Sequence, residues 1–269
     1  VTRFAWLLFV PALAFSARAD WRENLSPATP GTFPLPRELR AHYEFGWSKL
    51  HAGQADAVFS RPGKNVQLQI TGGTTGVVRD LWRLDAAHKS VARASTLHPL
   101  RMNQVEVYSN KTTTTRLDFD ENSVVSVKRT RPPSDSPPQK KTFVFPNIYD
   151  IHTAMLAIRS QRLQPGDVFN VVVFPANAPY LATVRVVGRE KIRVRAGRFA
   201  ALRLDLRLQK INATLGLEPH RLFKRGTAWV SDDADRILLR AEAEIFVGSV
   251  WAELQSVQFD EDQRTQMPR

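Results

Sequence analysis

From residue 43 to residue 257 the dominant pattern in this chain is strict alternation of apolar and polar positions. Leu202, Leu204, Leu206 and Leu208 point one way along an extended segment, while Arg203, Asp205 and Arg207 point the other. Ile237, Leu239, Ala241, Ala243 and Ile245 oppose Arg236, Arg240, Glu242 and Glu244 in the same manner. One dry face and one wet face is the mark of antiparallel sheet, since parallel strands are covered on both sides. Tyr43, Phe45 and Trp47 share a strand face, residues 52–59 read as the hairpin partner, and Val66, Leu68 and Ile70 mark the next strand. Further strands are expected at 105–108, 112–119, 124–128, 168–174, 180–187, 191–195, 200–208, 224–230, 237–247 and 249–257. The threonine run Thr112 to Thr115 fits a strand because its residues are β-branched.

Residues 149–163 break this rhythm. Ile151, Met155 and Ile158 recur at helical spacing with Ala154 beside them, which predicts a helix packing that face on the sheet. Asp150 is placed to cap it, Pro165-Gly166-Asp167 to stop it, and His152 takes a surface position by default. A second, short helix is expected around Val77, Val78, Leu81 and Trp82. The Gly-rich run Thr71 to Gly76 before it reads as a flexible connection, because the Gly-Lys-Ser/Thr ending of a phosphate-binding loop is absent. The predicted fold class is mainly β: a curved antiparallel sheet or open barrel with one covering α-helix and a short second helix.

The ends of the chain refine the picture. Arg3, the apolar run Phe4 to Phe15 and Ala17-Arg18-Ala19 read as a signal peptide over 1–19, cleaved before Asp20. Twelve helical residues span about 18 Å against a hydrocarbon core of about 30 Å, too short for an anchor. Export to the periplasm follows as the expectation, with no transmembrane anchor after cleavage. A Pro-, Thr- and Ser-rich linker is expected over 20–38, one β-rich domain over 39–257 with a proline-rich loop at 131–141, and a flexible tail over 258–269.

Composition narrows the chemistry. There is no cysteine, which excludes disulfides, thiolate nucleophiles and lipidation at cysteine. The formal net charge is +12, and losing Arg3 and Arg18 with the signal lowers it by two. In an exported protein such charge points to anionic lipid or an envelope polymer; no nucleic-acid motif accompanies it. The cations concentrate in one stripe: Arg185, Arg189, Lys191, Arg193, Arg195, Arg198, Arg203 and Arg207, mostly at alternate positions. On a β-ribbon they are expected to share one solvated face. Arg185, Lys191, Arg193, Arg195, Arg203 and Arg207 are the candidate anion-binding residues, and Glu242 and Glu244 on a neighbouring strand are the expected partial neutralisers.

Catalytic signals are weak. The histidines at 42, 51, 88, 98, 152 and 220 form no His-Glu-x-x-His pair, and no Gly-x-Ser-x-Gly elbow occurs. Asp232, Asp233 and Asp235 are weak metal candidates, but a run between two strands reads first as a turn. No catalytic residue and no cofactor is assigned.

Three blocks carry a family resemblance. They are Tyr43 to Gly53; Asn147-Ile148-Tyr149-Asp150 with Ile158-Arg159 and Leu163-Gln164-Pro165-Gly166-Asp167; and Gly188 to Ile192 with Ala196 to Phe199, Trp229 to Asp233, Arg236 and Gly248 to Leu254. Together they resemble the bacterial domain-of-unknown-function 3108 family over about residues 40–257. The resemblance implies an exported, periplasmic protein without established activity, and more distantly a half-barrel like the lipoprotein carriers. It carries over no catalytic residue. The leading expectation is a non-enzymatic envelope protein that holds an apolar or anionic amphipathic ligand in a concave apolar face, with arginines at its rim. The alternatives are an assembly factor that binds another envelope protein and a hydrolase using the aspartate run.

Overall fold

The computed structural model describes residues 20–132, 137–223, 225–245 and 248–260. The signal-peptide reading, the centre of the proline-rich loop, the starts or ends of the strands read at 224–230 and 237–247, and the tail beyond 260 therefore lie at least partly outside the described residues.

Among these residues the first half is a meander: β1 (Leu39–Trp47), β2 (Leu50–Ser60), β3 (Asn65–Thr74), β4 (Leu84–Arg93), β5 (Pro99–Tyr108), β6 (Lys111–Asp120), β7 (Ser123–Arg131) and β8 (Gln139–Val144), with helix α1 (Gly76–Leu81) between β3 and β4. Then come β9 (Ile148–Tyr149), helix α2 (Ile151–Arg159), β10 (Val168–Val173), β11 (Tyr180–Val194), β12 (Gly197–Ile211), β13 (Leu217–Pro219), β14 (Arg225–Ser231), β15 (Leu238–Glu244) and β16 (Ser249–Phe259). All join one sheet, in the order β8-β7-β6-β5-β4-β3-β2-β1-β16-β15-β14-β12-β11-β10-β9, with β13 on β12. Pairing is antiparallel except between β9 and β10. The halves meet where β1 pairs with β16, the two ends of the domain.

The sheet curls but does not close. Across the gap, β5, β7 and β8 are linked to the segment that follows β10 by side chains and not by a ladder. Gln104 donates to the Pro175 carbonyl at 2.5 Å, Ser126 to Ala176 at 2.6 Å, and Phe143 stacks on Phe174 at 6.2 Å. The edge strand β8 carries Lys140 and Lys141, charges that discourage strand addition.

Four strands escaped the sequence reading: the short β9 and β13, and the longer β4 and β8. β4 turns Ser90 and Ala92 inward, and β8 is exposed almost throughout, so neither shows a dry face. The Gly-rich run is not a loop. Gly72 and Gly73 are ladder residues of β3, and a Cβ on Gly73 would sit 2.6 Å from Asp85 Oδ1, so glycine allows the close approach of neighbouring strands.

Helix α2 fills the concave side. Seven of its nine residues are buried, among them His152, Thr153, Leu156 and Arg159. The predicted apolar face is therefore corrected: Ile151 and Met155 are exposed at 42% and 45%. The helix lies inside the curl with sheet on several sides, so its buried arc is wider than one stripe and takes in polar residues with partners to meet. Residues 20–38, read as a linker, run as a strap across this assembly. Trp21 stacks on Phe145 and donates to the Leu215 carbonyl, and the Phe33 N–H donates to the Ser160 carbonyl.

Burial of α2 has a titration consequence. His152 lies against His88, with ring centroids 5.8 Å apart, and its Nε2 has no hydrogen-bond partner. Burial first, and the His88 charge after it, push the His152 imidazole down to about 4, against the pull of Asp150. Above pH 6.5 His152 is neutral folded and unfolded and contributes nothing. As pH falls towards 4 the unfolded chain takes up the proton first, so stability is lost, by about 2–3 kcal/mol at pH 4. Urea titrations at pH 7 and pH 4 are expected to show that His152→Leu narrows the difference between the two.

Candidate functional site

The β11–β12 hairpin holds the cationic stripe, and its register decides where each cation points. Val186 pairs with Leu204 and Gly188 with Arg203, so Val187 is an extra residue, a bulge that reverses the face of everything after it. Thr183 opposite Arg207, Arg185 opposite Asp205, and Gly188 opposite Arg203 fall on one side. Arg189 opposite Leu202, Lys191 opposite Ala200, and Arg193 opposite Arg198 fall on the other. The expectation of one shared face is thus corrected: Arg185, Arg203 and Arg207 share a face, and Lys191 and Arg193 lie on its reverse.

The physical reason is that the ribbon runs between two cores. Ala182, Val184, Val186, Leu202 and Leu204 pack with α2, while Val194 and Ala201, flanked by Ile192 and Phe199, pack with Leu39, Ala41 and Leu254. Ala201 and Leu202, adjacent in sequence and opposite in direction, are both fully buried. Each half of the ribbon has its dry side on the opposite face; β12 makes the change between Leu202 and Ala201, and the bulge lets β11 make it with its apolar residues still at even positions. Cations take the wet side in both halves.

The far half is the more concentrated. Lys191, Arg193, Arg195 and Arg198 are all exposed, and among the described residues none has a carboxylate within ion-pair distance of its side chain. Arg193 and Arg198 are directly opposed across the ladder. Arg195 is in the turn, where its backbone N–H donates to Glu253 Oε1 at 3.3 Å. The near half is dressed differently. Arg203 is half-buried 6.0 Å from the Trp229 ring, and Arg185 faces Asp205. Glu242 and Glu244 do not neutralise the stripe, because β14 stands between β12 and β15. Glu242 pairs with Arg240 at 2.6 Å and Glu244 with Arg225 at 3.0 Å.

The concave face is occupied by the chain itself. Leu97, Leu202, Leu239 and Leu254, in the clusters that include α2, and Phe174, Met102 and Leu117, in a third cluster, are at or below 1% exposure. Open concavities lie on the outer surface instead. One of about 540 Å³ runs from Arg195 past Glu253, Arg240 and Trp251 to Ser48, and another of about 650 Å³ lies over β5–β7.

The aspartate run separates into three jobs. Asp233 accepts from Ser231 Oγ and from the N–H groups of Asp235 and Arg236, an Asx turn. Asp232 pairs with Arg189 at 2.8 Å, and Asp235 with Arg37 at 2.7 Å. Their carboxylates do not converge on a point.

What the sequence reading missed is the buried polar framework. Asp150 is fully buried; its Oδ1 accepts from the N–H groups of His152 and Thr153, and its Oδ2 from Ser90 Oγ and Thr153 Oγ1. Arg159 donates to the carbonyls of Pro34, Ala234 and Asp235, and Arg236 to those of Arg159, Gln161 and Arg162. Burial lowers both guanidinium pKa values, that of Arg159 to about 10. The hints in the sequence were Asp150 at the cap position and an arginine next to the aspartate run.

The family described as "Protein of unknown function (DUF3108)" matches residues 40–255. No curated protein matches the chain. Among solved structures, a β-barrel-like protein of domain of unknown function DUF1849 from Brucella abortus is similar over 84% of this chain and 99% of its own, at 9% identity and a TM-score of 0.54. That likeness is one of fold. A candidate lipoprotein of Parabacteroides distasonis is similar over 86% of this chain and 99% of its own (7% identity, TM-score 0.32). A candidate exported protein of Bacteroides fragilis with a YmcC-like fold covers 85% and 99% (8%, 0.32). The last two scores are too low to carry structural weight.

Proposed function

The chain belongs to the DUF3108 family, described as of unknown function, and we propose that it is an exported, non-catalytic envelope protein that binds an anionic ligand through the exposed end of the β11–β12 hairpin. One observation carries this reading: Arg193 directly opposes Arg198, with Lys191 beside them and, among the described residues, no carboxylate partner. Like charges opposed across a ladder cost stability, and for solubility alone exposed Asp or Glu serves better than Lys or Arg. An anion between them turns the repulsion into binding. Export rests on the reading of residues 1–19, and the packed interior favours a surface ligand over one inside the curl.

The test is binding to a soluble polyanion, such as dextran sulfate, at physiological salt. The variant Lys191→Glu/Arg193→Glu/Arg198→Glu is expected to bind at least about tenfold more weakly. Arg198→Glu alone is expected to bind more weakly while gaining about 0.5–1 kcal/mol of stability in urea, because it creates an opposite-charge pair with Arg193. Unchanged binding by the triple variant would return the stripe to a solubility role.

A further inference from the structure

The exposed apolar side chains are not scattered. Trp47 and Leu50 flank the β1–β2 turn at 45% and 52% exposure, and Val250 pairs with Trp47 from β16. Val77 and Leu81 on α1 are 74% and 84% exposed, followed by Trp82 at 47%. Tyr108, at the β5–β6 turn, is 43% exposed and lies 5.7 Å from Trp82, ring to ring.

The ladder shows that these belong to one rim. Trp47 pairs with Leu50, Gly53 with Thr74 just before α1, Leu84 with Tyr108, and Tyr108 with Lys111. The meander places these turns side by side at one end of the sheet. Cations are interleaved among them: Lys49, Arg79, Arg83, Lys111 and Arg131, against the carboxylates of Asp80 and Asp85. Asp85 is already held by two of these cations, Arg79 at 2.6 Å and Arg83 at 3.0 Å, which keep its carboxyl down at about 2.

Two tryptophans, a tyrosine and long aliphatic side chains on one rim, set among arginines and lysines, match the chemistry of a bilayer interface. Trp and Tyr place an apolar ring at headgroup depth with a polar atom still wet, and basic side chains meet anionic headgroups. The geometry points to this rim as a peripheral membrane-contact surface, whose partner is a bilayer containing anionic phospholipid. Among the described residues nothing covers Leu81 and Val77, on a six-residue helix that buries none of its residues. The inference goes beyond the hairpin reading, uses different residues, and stands if that reading fails.

The experiment is co-sedimentation of the chain from Asp20 to Arg269, without the apolar run of residues 4–15, with vesicles of phosphatidylcholine, with and without phosphatidylglycerol. The protein is expected to pellet with the mixed vesicles and much less with phosphatidylcholine alone. Leu81→Ser/Trp82→Ala is expected to reduce partitioning at least about tenfold, since both the apolar and the aromatic anchors are lost. Lys49→Glu/Lys111→Glu, which leaves every apolar contact in place, is expected to weaken binding to the mixed vesicles alone. Wild-type protein that stays in the supernatant, or a Leu81→Ser/Trp82→Ala variant that pellets as well as wild type, would overturn the assignment. So would a rim that serves self-association: a wild-type dimer in gel filtration that becomes monomeric in Leu81→Ser/Trp82→Ala with no change in vesicle binding.

Discussion

Arg236→Ala is expected to lower the stability of the fold by about 3–5 kcal/mol in urea denaturation. Arg236 is 6% exposed and lies in the loop between β14 and β15. Its guanidinium donates to three carbonyls at and just past the end of α2, those of Arg159, Gln161 and Arg162. Helix ends leave carbonyls without intrahelical donors, and here the missing donors come from a residue far along the chain. The guanidinium also lies 3.3 Å from the centre of the Phe33 ring, which brings the N-terminal strap into the same cluster. Alanine removes every one of these contacts; it leaves the buried Arg159 carbonyl unpaired, a cost of about 1–3 kcal/mol, and strips the donor from the partly buried carbonyls of Gln161 and Arg162. Arg236→Lys keeps the charge but not the planar fork, and is expected to recover less than half of the loss. A wild-type urea midpoint in Arg236→Ala would mean that the cluster is solvated and not a clamp.

Asp150→Ala carries the other large effect, also about 3–5 kcal/mol. An exposed N-cap is worth about 1 kcal/mol, because water replaces it. Asp150 has no exposure at all, and four donors depend on it: two N–H groups of the first turn of α2 and the hydroxyls of Thr153 and Ser90. Ser90 lies on β4, so the same carboxylate caps the helix and fixes it to the sheet. Asp150→Asn keeps one acceptor oxygen for the N–H groups and presents an amide NH₂ to the hydroxyls. It is expected to cost about 1–2 kcal/mol. If Ser90→Ala matched Asp150→Ala, the link to the sheet would matter more than the cap; if Asp150→Ala cost no more than an exposed cap, the buried network would have other acceptors.

The two clamps hold α2 at both ends, from elements that sit in different halves of the sheet. That makes the occupied interior a built feature of the fold. It also fits with the two proposed binding surfaces, the hairpin end and the aromatic rim, being on the outside. They differ in chemistry: salt is expected to weaken polyanion binding at the hairpin far more than the apolar part of vesicle binding at the rim.

The sequence by itself determined the β-rich antiparallel class, most strand positions, the capping role of Asp150 and the turn role of the aspartate run. Period-two burial and local hydrogen bonding are encoded by neighbours a few residues apart, so they can be read from a window. Tertiary structure alone decided the rest. It placed α2 inside the curl, so Ile151 and Met155 face out and His152 faces in. It inserted one residue at Val187, which moved Lys191 and Arg193 to the reverse of the face holding Arg185, Arg203 and Arg207. It also gathered Trp47, Trp82 and Tyr108, distant in sequence, on one rim. Each of these depends on which strands become neighbours and on a single-residue shift in register, and alternation along one strand contains no information about either.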